Sequence, residues 1–159
     1  MRAVTYDTRN FRSISETMSP SSTDAASSGR VDYLSPPTLA RNPAFSQVVV
    51  VSGDLKTVYL GGQNAIDASG AIVGRDDLAA QTERALHNVA AALAAAGAKL
   101  ENVVKWNIHV VQGHPLAPAF QAFQRVWGVR PNPPAITAVF VAALANPAFL
   151  IEIDAIAAI

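Results

Sequence analysis

No cysteine occurs in the 159 residues. A disulfide framework, a thiolate nucleophile and thiolate metal ligation are therefore excluded, and the chain suits a reducing compartment. Charge is scarce: 15% of the residues are charged against 50% hydrophobic. Such a low share points to surface that is buried in an assembly. Neither sign is in excess, with 12 basic and 12 acidic residues. Binding of nucleic acid by phosphate neutralisation is accordingly not expected. No apolar run reaches the roughly 18 to 20 residues of a membrane-spanning helix. Residues 1–30 lack the apolar centre of a secretory signal, so a cytoplasmic protein without a membrane partner is expected. The patterns GxSxG, GxGxxG and GxxxxGK[ST] are all missing, and no His/Asp/Glu spacing matches a metal motif. No metal is expected.

What is present fits one domain. Residues 1–30 are rich in Ser, Thr, Arg and Asp, and are expected to form a flexible tail ahead of a domain at 31–159. Met18 is an alternative start to Met1. Pro36, Pro37 and Pro43 mark residues 32–43 as an extended lead-in. Residues 46–52 and 56–61 flank a turn at Gly53-Asp54, which predicts a β-hairpin. Asp76-Asp77 then caps a helix whose stripe is Leu78, Thr82, Ala85, Leu86, Val89 and Leu93, with Gly97 as its stop. Residues 103–111 read as a strand. Pro115 opens a second helix with the stripe Leu116, Phe120, Phe123 and Trp127, ended by Gly128. Strands are expected at 135–143 and 149–158. The order ββ-α-β-α-ββ gives an α+β fold with both helices on one face of a mixed sheet. The strands are expected to be apolar on both sides, so further copies of the chain would cover the open face.

Two residues in the last strand stand out chemically. Glu152 and Asp154 lie two apart in LIEIDAI and share a face. Carboxylates in so apolar a strand are costly unless bonded, hydrated or used in chemistry. Either the backbone or a neighbouring Lys or Arg holds them, or Glu152 serves as a general acid or positions water. His109 is the one histidine inside a strand, and an ordinary hydrogen bond is its expected fate. Trp106 and Trp127 suit a core or an interface.

Three stretches carry a family resemblance. Gln81 to Val110, QTERALHNVAAALAAAGAKLENVVKWNIHV, is similar to the Rid (YjgF-type) stretch in which a QxxxxLxNVxxxLxxAG helix leads into a VVK strand. Gly61-Gly62-Gln63 resembles that family's SGQ, and Leu150 to Ala157 its terminal VEIEAIA strand. The resemblance runs from about Pro43 to the C-terminus. It implies a chorismate-mutase-like protomer assembled as a homotrimer, with ligand sites in the clefts between subunits. It also implies deamination of small imines and enamines without a cofactor.

Carried over position by position, the water-positioning glutamate of the family falls on Glu152. The arginine that grips a substrate carboxylate falls on Ile136, after Pro134-Ala135, and a cysteine two further on falls on Ala138. The site tyrosine falls on Phe45, the serine of SGQ on Gly61 beside Gly62, and a helical asparagine on Phe120 or its neighbour Gln121. Ile offers none of the bidentate contact that arginine makes with a carboxylate. Arg130 and Lys105 are the nearest basic residues that would replace it. The resemblance thus implies a divergent, deaminase-like hydrolase of a small metabolite, or else a non-catalytic trimer binding a neutral one. Ribonuclease or translation-inhibiting activity, attributed to some relatives, fits the neutral charge least.

Overall fold

The computed structural model describes residues 28–40 and 42–159. Most of the expected tail, residues 1–27, lies outside the described residues. Ser28 already pairs with Asp54 in an isolated bridge. The strands are β1 (Arg30–Leu34), β2 (Val48–Ser52), β3 (Thr57–Gln63), β4 (Val103–Val111), β5 (Ala135–Val141) and β6 (Ile151–Ala158). Helix α1 (Leu78–Ala95) follows β3, and α2 (Leu116–Trp127) joins β4 to β5. A four-stranded sheet runs in the order β3-β6-β4-β5, beside a two-stranded ribbon of β1 and β2. β4 and β5 are parallel because a helix carries the chain back between them, and the other pairs are antiparallel. The mixed α+β sheet is as the sequence led us to expect.

The hairpin expected across Gly53-Asp54 does not form. β2 pairs with β1, Val51 opposite Val31, and β3 pairs with β6, Tyr59 opposite Ile156. Gly53 does turn the chain at φ 76°. Beyond it, Lys56 and Ile159 exchange backbone hydrogen bonds of 2.6 and 3.0 Å, which hands the start of β3 to the C-terminal strand. The lead-in is likewise strand at its start, since Asp32, Tyr33 and Leu34 belong to β1. Alternation along one segment reports that a strand exists, but not which edge it joins.

Helix α1 follows its periodicity closely. Asp77 is the N-cap and accepts from the Ala79 and Ala80 amides at 2.9 and 3.0 Å. At the other end Gly97 adopts φ 78°, and Ala98 N donates to Leu93 O at 2.9 Å, a Schellman closure. All six expected stripe residues are buried, and Gln81 is buried with them. Gln81 is a clamp: its Nε2 donates to Gly74 O and Ala148 O, and its Oε1 accepts from Leu150 N at 2.8 Å. Three backbone groups at the start of β6 and before α1 are thereby satisfied inside the protein.

The aliphatic face of the sheet packs under the helices. Trp106, Val110, Ile151, Ile153, Ala155 and Ala157 form one cluster with Leu86, Val89 and Leu93 of α1 and Ala119 of α2. Trp106 is fully buried, edge-on to Phe123 and Trp127 at 5.8 and 5.6 Å between ring centroids. Its Nε1 has no hydrogen-bond acceptor among the described residues. The α2 stripe is only half interior. Leu116 and Phe120 are 46% and 49% exposed, while Ala119 and Ala122 turn inward. The reason is that α2 stands off the sheet at its N-terminal end, leaving the space described below.

The opposite face differs from the expected apolar surface. Its centre is polar: Asn107 Nδ2 donates to Asp154 Oδ1 at 2.7 Å, and Lys105 donates to the Thr137 hydroxyl. Apolar groups ring this centre, with Tyr59 77% and Val139 42% exposed. Among the described residues, no helix is long and apolar enough to cross a membrane.

Candidate functional site

The space under α2 is a cavity of about 470 Å³. Its floor is Ile108 and Val110 of β4, Ile136 and Ala138 of β5, and Ile151 of β6. Ala119, Phe123, Phe120 and Leu116 of α2 form the roof, and Asn42, Ala44 and Phe45 of the lead-in close one end. Ile136 stands opposite Trp106 and Ala138 opposite Ile108, so both share the helix-covered face. Phe45 is held in place by its neighbour. Ser46 N donates to Pro134 O at 3.1 Å, and Ser46 Oγ donates to Pro133 O at 2.6 Å. Those bonds tie the lead-in to the loop before β5, a long-range link that no local pattern carries.

Only two lining residues are polar, Asn42 and Thr82, and both are engaged. Thr82 Oγ1 donates to Leu78 O at 2.7 Å, and Asn42 Oδ1 accepts from Ala44 N at 2.8 Å. No charged side chain lines the cavity among the described residues. Arg130 does not enter. Its Nε donates to Trp127 O at 3.0 Å, and its guanidinium lies 4.5 Å from the centre of the Trp127 ring. Lys105 belongs to the other face of the sheet, where it bonds Thr137.

Glu152 is also on that other face. It stands opposite His109 in the β4–β6 register, two residue pairs from the Asn107–Asp154 bond. Among the described residues, neither carboxylate is held by Lys, Arg or backbone, the arrangement set against chemistry in the sequence; both are held by asparagine amides. Asn64 Nδ2 donates to Glu152 Oε2 at 3.2 Å and to Ile151 O at 3.1 Å. Asn64 is itself fixed by α1, since Asn88 Nδ2 donates to Asn64 O at 2.8 Å. Glycine matters at one position of the pair. A Cβ on Gly62 would lie 2.6 Å from the Glu152 carboxyl carbon, whereas one on Gly61 would meet nothing. The register slips by one residue between Leu60 and Gln63, so Gly61-Gly62 form a bulge that makes room for the carboxylate. His109 lacks its expected hydrogen bond, for its Nδ1 is buried without a partner.

The residues singled out in the sequence therefore fall into two groups. Phe45, Phe120, Ile136 and Ala138 meet in the cavity. Gly62 and Glu152 meet across the bulge, with Gly61 alongside, on the reverse of the same sheet. Asn64 and Asn88 were missed, because their role depends on a loop and a helix meeting 24 residues apart. No three His, Asp or Glu side chains converge as a metal-binding group among the described residues.

This is an α+β protein with two helices over one face of a mixed sheet, an apolar cavity on that face and two asparagine-held carboxylates on the other. The family model described as Endoribonuclease L-PSP matches residues 38–159. A Yersinia pestis protein of unknown function, YyfB of the conserved Rid family, is 34% identical, with 81% of this chain and 98% of that one covered at a TM-score of 0.71. RidA from an Antarctic Psychrobacter is 29% identical over 75% of this chain and 97% of its own, at a TM-score of 0.57. The YjgF gene product of E. coli is 30% identical over 64% and 79%, at 0.55. No curated protein matches the chain. The chain belongs to the Rid/YjgF, or Endoribonuclease L-PSP, family, as its three sequence stretches led us to expect.

Proposed function

We propose that this Rid-family protein is a homotrimeric hydrolase of a small imine or enamine, divergent from the carboxylate-gripping members. Its site joins the cavity of one copy to the Glu152 side of the next. The observation that carries this reading is the state of Glu152: a carboxylate near the start of β6, in no ion pair among the described residues, cradled by Asn64 and the Gly62 bulge. Such a group accepts a proton from water as the water attacks the C=N carbon. The nitrogen takes up a proton, and the tetrahedral adduct collapses to a carbonyl compound and ammonia. No cofactor takes part. A second reading, a non-catalytic trimer that binds a small molecule, is favoured by one feature: in a single protomer Glu152 and the cavity lie on opposite faces.

The test is ammonia release from a panel of imines generated in situ by an amine or amino-acid oxidase. Glu152→Gln should keep the melting temperature and the assembly mass yet lose about 100-fold or more in turnover. Undiminished turnover in the variant would overturn the role given to Glu152. Binding without any turnover by the unaltered protein would establish the second reading.

A further inference from the structure

The cavity also constrains what it accepts. We infer that its ligand is an uncharged molecule carrying an aryl or branched hydrocarbon group, and not a small carboxylate anion. This inference rests on reading the inter-copy cleft as a small-molecule site.

A buried carboxylate needs a cation or several N–H donors. The cavity supplies no cation and few donors: the Thr82 hydroxyl is spent on Leu78 O, the single amide of Asn42 stands at one end, and Arg130 is folded onto Trp127. What the walls offer instead is three phenylalanine rings, Phe45, Phe120 and Phe123, above a floor that includes Ile136. At about 470 Å³ the space falls within the range of small-ligand pockets. Apolar cavities of this kind hold water poorly and take hydrocarbon rings readily. The exposed rim of the mouth, to which Leu116, Phe120 and Ala138 belong, does not rescue an anion. In the assembly proposed above, the group facing that mouth is a second carboxylate, Glu152 of the neighbouring copy. An anionic head would meet apolar walls inside and a second carboxylate at the mouth. Ligand selection is then set by Ile136, Phe45 and Phe120 rather than by an ion pair.

The experiment compares two molecules of nearly the same shape, phenylacetamide and phenylacetate, by calorimetry and ligand-observed NMR at neutral pH. The amide should bind, with the acid at least about 30-fold weaker. Ala138→Phe, which fills the floor, should abolish amide binding, and Ile136→Arg should reverse the order of the two ligands. Thermal melts verify that each variant is folded. Phe120→Ala, on the half-exposed roof, weakens amide binding as well and stands in where a floor variant does not fold. Equal binding of acid and amide, amide binding untouched by Ala138→Phe or Phe120→Ala, or no binding of either would each overturn the inference. Amide binding that persists while no imine is turned over would sink the hydrolase reading and leave this one standing.

Discussion

Gly62 has no room for a side chain, because the Glu152 carboxyl occupies the place where its Cβ would stand. Gly62→Ala should therefore push the carboxylate off Asn64. The obstructed group is the end of a flexible side chain, so the stability cost should stay within about 1 to 2 kcal/mol. Turnover should fall nearly as far as in Glu152→Gln. Gly61→Ala is the internal control, since its Cβ meets nothing within 4 Å, and it should leave turnover unchanged. A melt and an ammonia assay on the two variants check this; equal loss of turnover in both would contradict the bulge geometry. The same scale separates the two orphaned nitrogens. Trp106 Nε1 sits among aromatic rings in the core, whereas His109 Nδ1 lies on the polar face beside the β6 position of Glu152.

At the scale of elements, the contact between α1 and the start of β6 depends on one side chain. Gln81 is fully buried and serves Gly74 O, Ala148 O and Leu150 N together. Gln81→Ala removes those bonds and leaves a void, so a loss of about 2 to 4 kcal/mol is expected, read as a lowered urea midpoint with an unchanged slope. A stability loss under about 0.5 kcal/mol would show that water replaces the clamp. The elements also record where local pattern suffices. Helix α1 has its cap, stripe and stop all within twenty-odd residues, and each forms as the sequence indicates. The hairpin over Gly53-Asp54 shows the reverse. Its turn is real, yet β3 gains more by pairing along β6 and leaves β2 to β1.

For the whole molecule, the surface left uncovered is the argument for assembly. Tyr59 and Val139 on the open face, with Leu116, Phe120 and Phe140 near the cavity side, are large apolar groups at 42 to 77% exposure. Large apolar groups left exposed on both faces suit association with further copies. Light scattering at micromolar concentration should return about three times the 16.7 kDa chain mass. A stable monomer would remove the neighbouring copy that brings Glu152 to the cavity, and with it the proposed site.

By itself, the sequence determined that helices and strands exist, where α1 begins and ends, that Glu152 and Asp154 share a face, and to which family the chain belongs. All of these rest on short-range periodicity, on capping and on contiguous stretches such as Gln81 to Val110. Tertiary structure alone decided the strand partners, the bonds from Ser46 that bring Phe45 to the cavity, and the path from Asn88 through Asn64 to Glu152. It also decided that the site residues divide between two faces of one sheet. Alternation along β5 and β6 shows which residues share a face within each strand. Only the register between strands, fixed by closing long loops, shows which face Ile136 and Glu152 have in common with anything else.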